Sequence, residues 1–361
     1  MKKEKTGLKS SFLVMSASSR NLMQTIGGLL IIYLAITIVG FFGGLSHSLT
    51  NILAELCIYA IIAVGLNLCV GFLGELSLGH AGFMSVGAFV SASFTHAAAD
   101  SIPSLYVRFF LALLLGTISA AVAGFLIGIP VLRLNGDYLA IVTLAFGEII
   151  KGLLNVFYVG KDTDGFHVSV VNDNSADLKE GGRMIINGAK GIMGTPHVTN
   201  FTIGMVLLLL SLIVVTFLVD SRTGRAIQAI RDNRIAAESV GINITRFKLI
   251  GFMISAGIAG ISGVLYAHYL STTTASKFDF NMSILVLVFV VLGGLGNFRG
   301  SIIAAVVLTL LPELLRGLSN YRMLIYSILL IVLMLLNWAP DIIEWKERHS
   351  PKWKLFSAKK K

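Results

Sequence analysis

Apolar runs of near-membrane length recur along most of this chain, separated by short polar segments. A transmembrane helix needs about 20 predominantly apolar residues, and lipid admits only helices or closed barrels. The pattern therefore predicts an all-α, polytopic bundle of about ten transmembrane helices, or about eight or nine if a short run is re-entrant. The predicted spans are residues 25–42, 49–70, 82–99, 109–132, a fifth that opens with 136–150, and then 201–219, 247–267, 282–295, 301–315 and 321–338.

The composition places the chain among integral membrane proteins. Of its 361 residues, 55% are hydrophobic and only 13% are charged, about half the charged fraction of soluble domains. The mean hydropathy is +0.82. The two cysteines, Cys57 and Cys69, lie too far apart along one predicted helix to bond to each other. We therefore predict no disulfide framework and no metal site.

Lysine and arginine are concentrated in alternate polar segments. The N-terminal tail (1–24), the segment 220–248 and the C-terminal tail (340–361) are rich in these residues. Short basic loops stay in the cytoplasm, so we predict these three segments inside, the membrane domain at 25–339, and the loop 160–200 outside. The same rule accounts for the net charge of +10, and no nucleic-acid partner is implied.

Two further features lie at the outer side of the predicted bundle. Glu148 and Lys151 are three residues apart on one helical face, and an unpaired charge at the bilayer centre costs roughly 2.5–3.5 kcal/mol. We expect a self-neutralising pair, with an ion relay as the alternative. The external loop predicts irregular structure with two short strand-like patches, around Val168 and Met184. Long loops are usually functional, and we expect this one to contact an external partner protein.

The cytoplasmic segment contains a stretch of helical periodicity from Gly224 to Ile242. At 100° per residue its small and apolar side chains fall on one stripe, with polar side chains opposite. A shallow stripe of alanines favours a helix that docks on another surface, and a solvated linker between two spans is the alternative. The stripe consists of Ala226, Ala229, Ile230, Ala236, Ala237 and Val240, and Gly241 is predicted to end the helix.

Glycines interrupt two of the apolar runs in a similar way. Each of these segments is an apolar run, then G-x-x-G, a polar residue and a glycine-led apolar run, with predicted helix breaks at Gly71, Gly74, Gly293 and Gly296. Two such interruptions at corresponding positions indicate a transport pathway, although a turn followed by a packing helix fits the first segment as well. The candidate pathway residues, each of which also fits a structural role, are Asn67, Glu75, Ser77, His80 and Thr143.

Six sequence blocks, in a fixed order within residues 59–326, identify a family. They read GFLGELSLGHAGF, RLNGDYLAIVTLAFGEII, GRAIQAIRDNRIAAESVGINITRFK, FMISAGIAGISGVLYA, VVLGGLGNFRGSI and LLPELLR. On these blocks the chain resembles the LivM-type permease subunits of ABC importers for branched-chain amino acids. The external loop and both termini lie outside the resemblance.

The resemblance implies the ABC-importer permease fold in a bacterial plasma (inner) membrane. It implies that 224–241 holds a coupling helix that docks on a cytoplasmic ATPase. The implied partners are a second, different permease subunit, two ATPase subunits and an external substrate-binding protein. The ATPase-coupling residues are then Arg225, Ala226, Ala229, Ile230, Arg231, Ala236, Ala237 and Gly241.

The predicted function is therefore a transport subunit, not an enzyme. The chain has no G-x-x-x-x-G-K-[ST] phosphate-binding loop, so we expect it to bind no cofactor and its partners to use the ATP. The solute implied by the resemblance is leucine, isoleucine or valine, moved by alternating access. A permease of the same family for urea or short amides stays open. An ion-coupled carrier is less favoured, because it would need ionisable residues in the membrane beyond Glu148 and Lys151.

Overall fold

The computed structural model describes residues 17–41, 47–132, 137–162, 165–170 and 182–315, together with seven positions between 324 and 335. The predicted tail 340–361, most of the predicted span 321–338 and most of the tail 1–24 lie outside the described residues. The chain divides into two compact units, Met1–Ala305 and Val306–Lys361. The first unit holds all the sites discussed below.

Helices make up most of the described residues, as the apolar runs predict. They are α1 (Ala17–Phe41), α2 (His47–Asn67), α3 (His80–Ala97), α4 (Leu105–Val131), α5 (Asp137–Val156), α6 (Phe201–Asp220), α7 (Arg222–Asp232), α8 (Arg234–Ser239), α9 (Ile244–Tyr269), α10 (Phe280–Gly293) and α11 (Phe298–Leu314). A π-helix, Leu68–Leu73, continues α2, and short 3₁₀ helices lie at Gly188–Lys190 and Ala275–Lys277.

Six helical stretches among the described residues are long and apolar enough to cross a membrane, so the chain is a multi-pass membrane protein. They are Leu49–Leu73, Leu105–Val131, Tyr138–Val156, Phe201–Asp220, Ile244–Tyr269 and Ala275–Gly293. A shorter apolar helix, Gln24–Gly40, lies where the first span is predicted. Helix α3 occupies the third predicted span, but serines and histidines lower its hydropathy. The predicted number of about ten spans is not confirmed.

Helix α9 is the packing centre of the first unit, where it contacts α2, α3 and α4. Its glycines and serines allow these neighbours to approach closely. A Cβ atom added at Gly260 would lie 2.5 Å from the Ala120 Cβ of α4, and one added at Gly263 would collide with the Met84 carbonyl oxygen of α3. Small residues at such spacings are the usual means by which membrane helices pack.

The fold is mostly helical, as predicted, and the segment predicted to lie outside adds two small antiparallel sheets. Strands β1 (Tyr158–Asp162), β2 (Gly165–Ser169) and β3 (Arg183–Asn187) pair in the order β2-β1-β3. The strand-like patches around Val168 and Met184 are thus confirmed as β2 and β3, whereas β1 was missed. Strand β4 (Ile192–Met193) pairs with β5 (Thr272–Thr273), which follows α9.

An ion pair joins the three-stranded sheet to the C-terminal end of α3. The Lys161 ammonium of β1 donates to the Asp100 carboxylate and to the Ala97 carbonyl oxygen, each at 2.9 Å. The hydrogen bond and the charge of Lys161 hold the pKa of Asp100 below its ordinary value. Lys161 therefore connects the end of α3 with β1.

The predicted cytoplasmic segment contains two helices instead of the single helix predicted from Gly224 to Ile242. Asn233 has an extended backbone, with φ −156° and ψ 105°, and its side chain accepts a hydrogen bond from the Ala236 N–H at 3.0 Å. This cap begins α8 in a new direction. Gly241, at φ +83°, ends α8 as predicted, with the Ile242 N–H bonded to the Ala237 carbonyl oxygen in a Schellman arrangement.

Candidate functional site

The first predicted helix break lies at the end of α2. The chain passes from α2 into the π-helix and leaves it at Gly74, which has φ 72° and ψ 21°. A Cβ atom added at Gly71 would collide with the Asn67 Oδ1 and with the Gly296 backbone nitrogen. Only glycine fits position 71 without a shift of the backbone around it. Single-turn π-helices of this kind are frequent at functional sites.

The second predicted break lies between α10 and α11. Gly294 and Gly296 have positive φ values, 94° and 78°, in the left-handed region that favours glycine. Gly293 and Gly300 face each other across this turn, and a Cβ atom on either would collide with the backbone of the other. The four glycines therefore allow a tight reversal between the two helices.

Asn67 joins the two breaks directly. Its side-chain oxygen accepts a hydrogen bond from the Gly296 N–H at 2.8 Å, and its Nδ2 donates to the Ser301 hydroxyl at 2.7 Å. The rings of Phe72 and Phe298 stack beside this contact, with centroids 4.8 Å apart. The two segments that resemble each other in sequence thus lie against one another.

His80 and two serines fasten the segment after the first break to the centre of the bundle. Ser255 of α9 donates to the Gly65 carbonyl oxygen at 2.6 Å, so its oxygen accepts from the His80 Nε2 at 2.7 Å. The His80 Nδ1 then accepts from the Ser77 hydroxyl at 3.1 Å. This pattern uses both nitrogens of a neutral imidazole.

Thr143 and Glu75 hold the same segment from two other sides. The Thr143 hydroxyl accepts from the Leu78 N–H at 3.1 Å and donates to the Ala140 carbonyl oxygen at 3.0 Å. The Glu75 carboxylate forms a buried ion pair with Lys248 in the first turn of α9. The five candidate pathway residues are thus all buried and hydrogen-bonded within the chain, and their role in a pathway stays a prediction.

Lys248 is a site residue that the sequence reasoning missed. A buried carboxylate needs a partner, so the burial of Glu75 implies a cation nearby. The partner is 173 residues away in the sequence, so the choice among the basic residues required the fold.

The predicted cytoplasmic segment turns part of its predicted docking stripe towards the protein. Ala237 is only 3% exposed and packs in a cluster with Ile230 and Ile244. Val240 of the stripe is exposed at 75%, and so is Ile235, which the stripe does not include, at 81%. The break at Asn233 explains the difference, because the predicted stripe assumes one continuous helix. Of the other predicted coupling residues, Arg225, Arg231, Ala236 and Gly241 are exposed and Ala226 and Ala229 are half-buried.

Arg231 extends from α7 to the first helix break. Its Nη1 donates to the Gly71 carbonyl oxygen at 2.8 Å, and its Nε and Nη2 bind the Asp232 carboxylate at 3.1 and 2.9 Å. The sequence places Arg231 among the coupling residues, but it gives no indication of this contact across the fold.

The remaining candidate residues are an ion pair in α5 and the two cysteines. Glu148 and Lys151 form the expected pair, with 2.9 Å between oxygen and nitrogen. Cys57 and Cys69 are free and buried. Within the part of the chain that the structure describes, no group of three or more His, Cys, Asp or Glu side chains is placed to hold a metal ion.

The comparison with protein families and the comparison with individual proteins both identify permeases of branched-chain amino acid transport. A family model described as a permease component of branched-chain amino acid transport systems matches residues 48–336. The LivM permease proteins of Salmonella typhimurium and Escherichia coli, named for high-affinity branched-chain amino acid transport, are each 36% identical over 305 residues, which is 82% of this chain and 70% of theirs.

More distant relatives are also permeases. The LivH permease protein of Escherichia coli, also named for high-affinity branched-chain amino acid transport, is 25% identical over 79% of this chain and 91% of its own length. The ribose import permease RbsC of Haemophilus influenzae is 25% identical over 80% of this chain and 84% of its own length. No solved structure matches the chain.

Proposed function

Because the chain belongs to the family of branched-chain amino acid transport permeases, we propose that it is one membrane subunit of an ATP-driven importer for leucine, isoleucine and valine. Membership of this family makes it a transport subunit and not an enzyme. The assignment of the solute rests on the 36% identity to LivM over 82% of this chain. The importer belongs in the bacterial inner membrane, with both termini of this chain in the cytoplasm.

The proposed assembly contains a second, different permease. LivM and LivH are both named as permeases of high-affinity branched-chain amino acid transport, and both match this chain. We propose a heterodimer of such subunits, two cytoplasmic ATPases that bind the ATP, and an external substrate-binding protein. The pathway then runs between the two permeases, beside the two helix breaks. The candidate pathway residues are buried here, so a solute reaches them only when neighbouring helices separate.

The proposed ATPase contact is centred on α8. Ile235 and Val240 are apolar, highly exposed and on the side of the protein that the basic segments place in the cytoplasm. Exposed apolar side chains on α8 and at its C-cap, Val240, suit burial in a groove of a partner. The proposed docking face thus keeps Val240 of the predicted stripe, adds Ile235 and leaves out the buried Ile230 and Ala237.

Matched aspartate substitutions test the docking face. A charge buried without a partner costs several kcal/mol, so Val240→Asp and Ile235→Asp should abolish co-purification of the ATPases with the tagged permease. Val168→Asp makes the same change on exposed strand β2 and should leave the ATPases bound. Full retention by both α8 variants would place the contact elsewhere.

Uptake in cells tests the solute. A strain that lacks its own branched-chain importers should regain uptake of radiolabelled leucine when it expresses the full importer that contains this chain. Excess isoleucine or valine should compete with leucine, and urea or acetamide should not. Rescue of urea uptake without leucine uptake would favour the alternative of a same-family permease for urea or short amides.

A further inference from the structure

The guanidinium of Arg231 caps the end of the membrane helix that contains the first break. The Gly71 carbonyl lies in the last turn of the π-helix, where carbonyl oxygens have no partner from the helix itself. A cation at this end of a helix also interacts favourably with the helix dipole. The 2.8 Å bond from the Arg231 Nη1 therefore joins a cytoplasmic helix to the end of a transmembrane one.

Two neighbours determine the geometry of this bond. Asp232 binds the Nε and Nη2 of the guanidinium and leaves Nη1 directed at Gly71. Gly74 makes space for the arginine stem, because a Cβ atom at that position would lie 2.8 Å from the Arg231 Cγ. Both the orientation of Arg231 and its route past the helix end are thus fixed.

The bond at Gly71 also acts on the second break. Gly71 lies directly against the backbone of Gly296, and the Gly296 N–H is held by Asn67, four residues before Gly71. A displacement of the π-helix end therefore displaces the turn between α10 and α11. The Lys248–Glu75 ion pair supplies a second connection on the far side of Gly74. Arg231 and Lys248 of the predicted cytoplasmic segment thus bind Gly71 and Glu75 at the first break.

We propose that Arg231 is a positioning residue that transmits movement of α7 and α8 to both helix breaks. The inference rests on the proposed function, in which the ATPases move these two helices. In transport, Arg231 acts within this chain, after the ATPases dock and before the pathway opens. Arg231 is thereby assigned to a contact within the permease and not to the ATPase interface.

The test uses the complete complex in proteoliposomes, with the binding protein supplied outside. Arg231→Gln removes the cationic cap, and Arg222→Gln removes the same charge from the exposed first residue of α7. Arg231→Gln should lower the number of leucine molecules transported per ATP hydrolysed by about fivefold or more. A factor of about five is the lower end of the coupling measured between sites in proteins. The Arg231→Gln variant should keep its ATPases. Arg222→Gln should match the wild type. Asp232→Asn, an exposed change that frees the guanidinium to rotate, should give a smaller loss in the same direction.

A second readout does not depend on the solute. Leu295 is exposed in the turn between α10 and α11, so a cysteine there reports on the second break. Its rate of maleimide labelling should change when vanadate traps the ATPases, and Arg231→Gln should remove that change. Such a change without any leucine transport would refute the proposed solute and retain the coupling role.

Three results would overturn the inference. They are an unchanged ratio of transport to hydrolysis in Arg231→Gln, loss of the ATPases from that variant, or labelling at position 295 that does not respond to vanadate in the wild-type background.

Discussion

Replacement of Lys248 by methionine should destabilise the protein more than replacement of both members of its ion pair. The Glu75 and Lys248 side chains are only 9% and 10% exposed, so solvent screens their interaction little. Lys248→Met leaves the Glu75 carboxylate buried without its cation. Methionine at both positions removes the two charges together and keeps an unbranched apolar side chain at each site.

The expected magnitudes follow from this burial. Removal of one partner from a buried ion pair costs about 3–5 kcal/mol, whereas an apolar replacement of both is often neutral or stabilising. At roughly 2 °C per kcal/mol for a long chain, Lys248→Met should lower the melting temperature by about 6–10 °C. Glu75→Met should cost less, because the flexible stem of Lys248 can carry its ammonium towards the cytoplasmic water.

Thermal unfolding in detergent, followed by size-exclusion chromatography of a fluorescently tagged permease, measures these shifts. Lys277→Met, a change at an exposed lysine outside the pair, provides the control and should leave the melting temperature unaltered. The reasoning would be refuted if the double variant lost as much stability as the sum of the two single variants, because the pair would then have no interaction energy.

Two further predictions concern topology and the second helix break. A cysteine at Val168 should react with an impermeant maleimide in intact cells, and one at Ser239 should not. The native cysteines are buried and should contribute no labelling. The reverse pattern would invert the assigned orientation. Gly293→Ala should destabilise the protein by about 1–3 kcal/mol through overpacking against Gly300, and so lower its melting temperature. Gly152→Ala in α5, where an added Cβ meets nothing within 4 Å, should leave the melting temperature unchanged. An equal loss of stability in both variants would show that the close contact with Gly300 is not the cause.

Local rules predicted much of the fold. Apolar runs predicted helices because a membrane leaves the backbone almost no alternative, and Gly241 was recognised as a helix end because left-handed backbone favours glycine. Strand β1 was missed because its five residues follow directly on α5, and its pairing with β3 depends on a distant segment. The Glu148–Lys151 pair was predicted because both partners lie within one helical turn.

The candidate site was harder to predict because its contacts are long-range. The glycines of both breaks were recognised, but the bond from Arg231 to Gly71 joins residues 160 positions apart. The predicted helix is divided by the cap at Asn233, and Ala237 of the predicted docking stripe is buried. Helical periodicity gives the face of a continuous helix and cannot locate a break within it.

The central claim is that this chain works in an ATP-driven importer for branched-chain amino acids. Proteoliposomes that contain the full complex, with equal ion concentrations on both sides and ATP at the ATPase side, measure this directly through accumulation of radiolabelled leucine. We predict accumulation that requires both ATP and the binding protein, and that excess valine suppresses. Accumulation driven by a proton or sodium gradient without ATP would contradict the account, as would ATP-driven transport of urea with no transport of leucine.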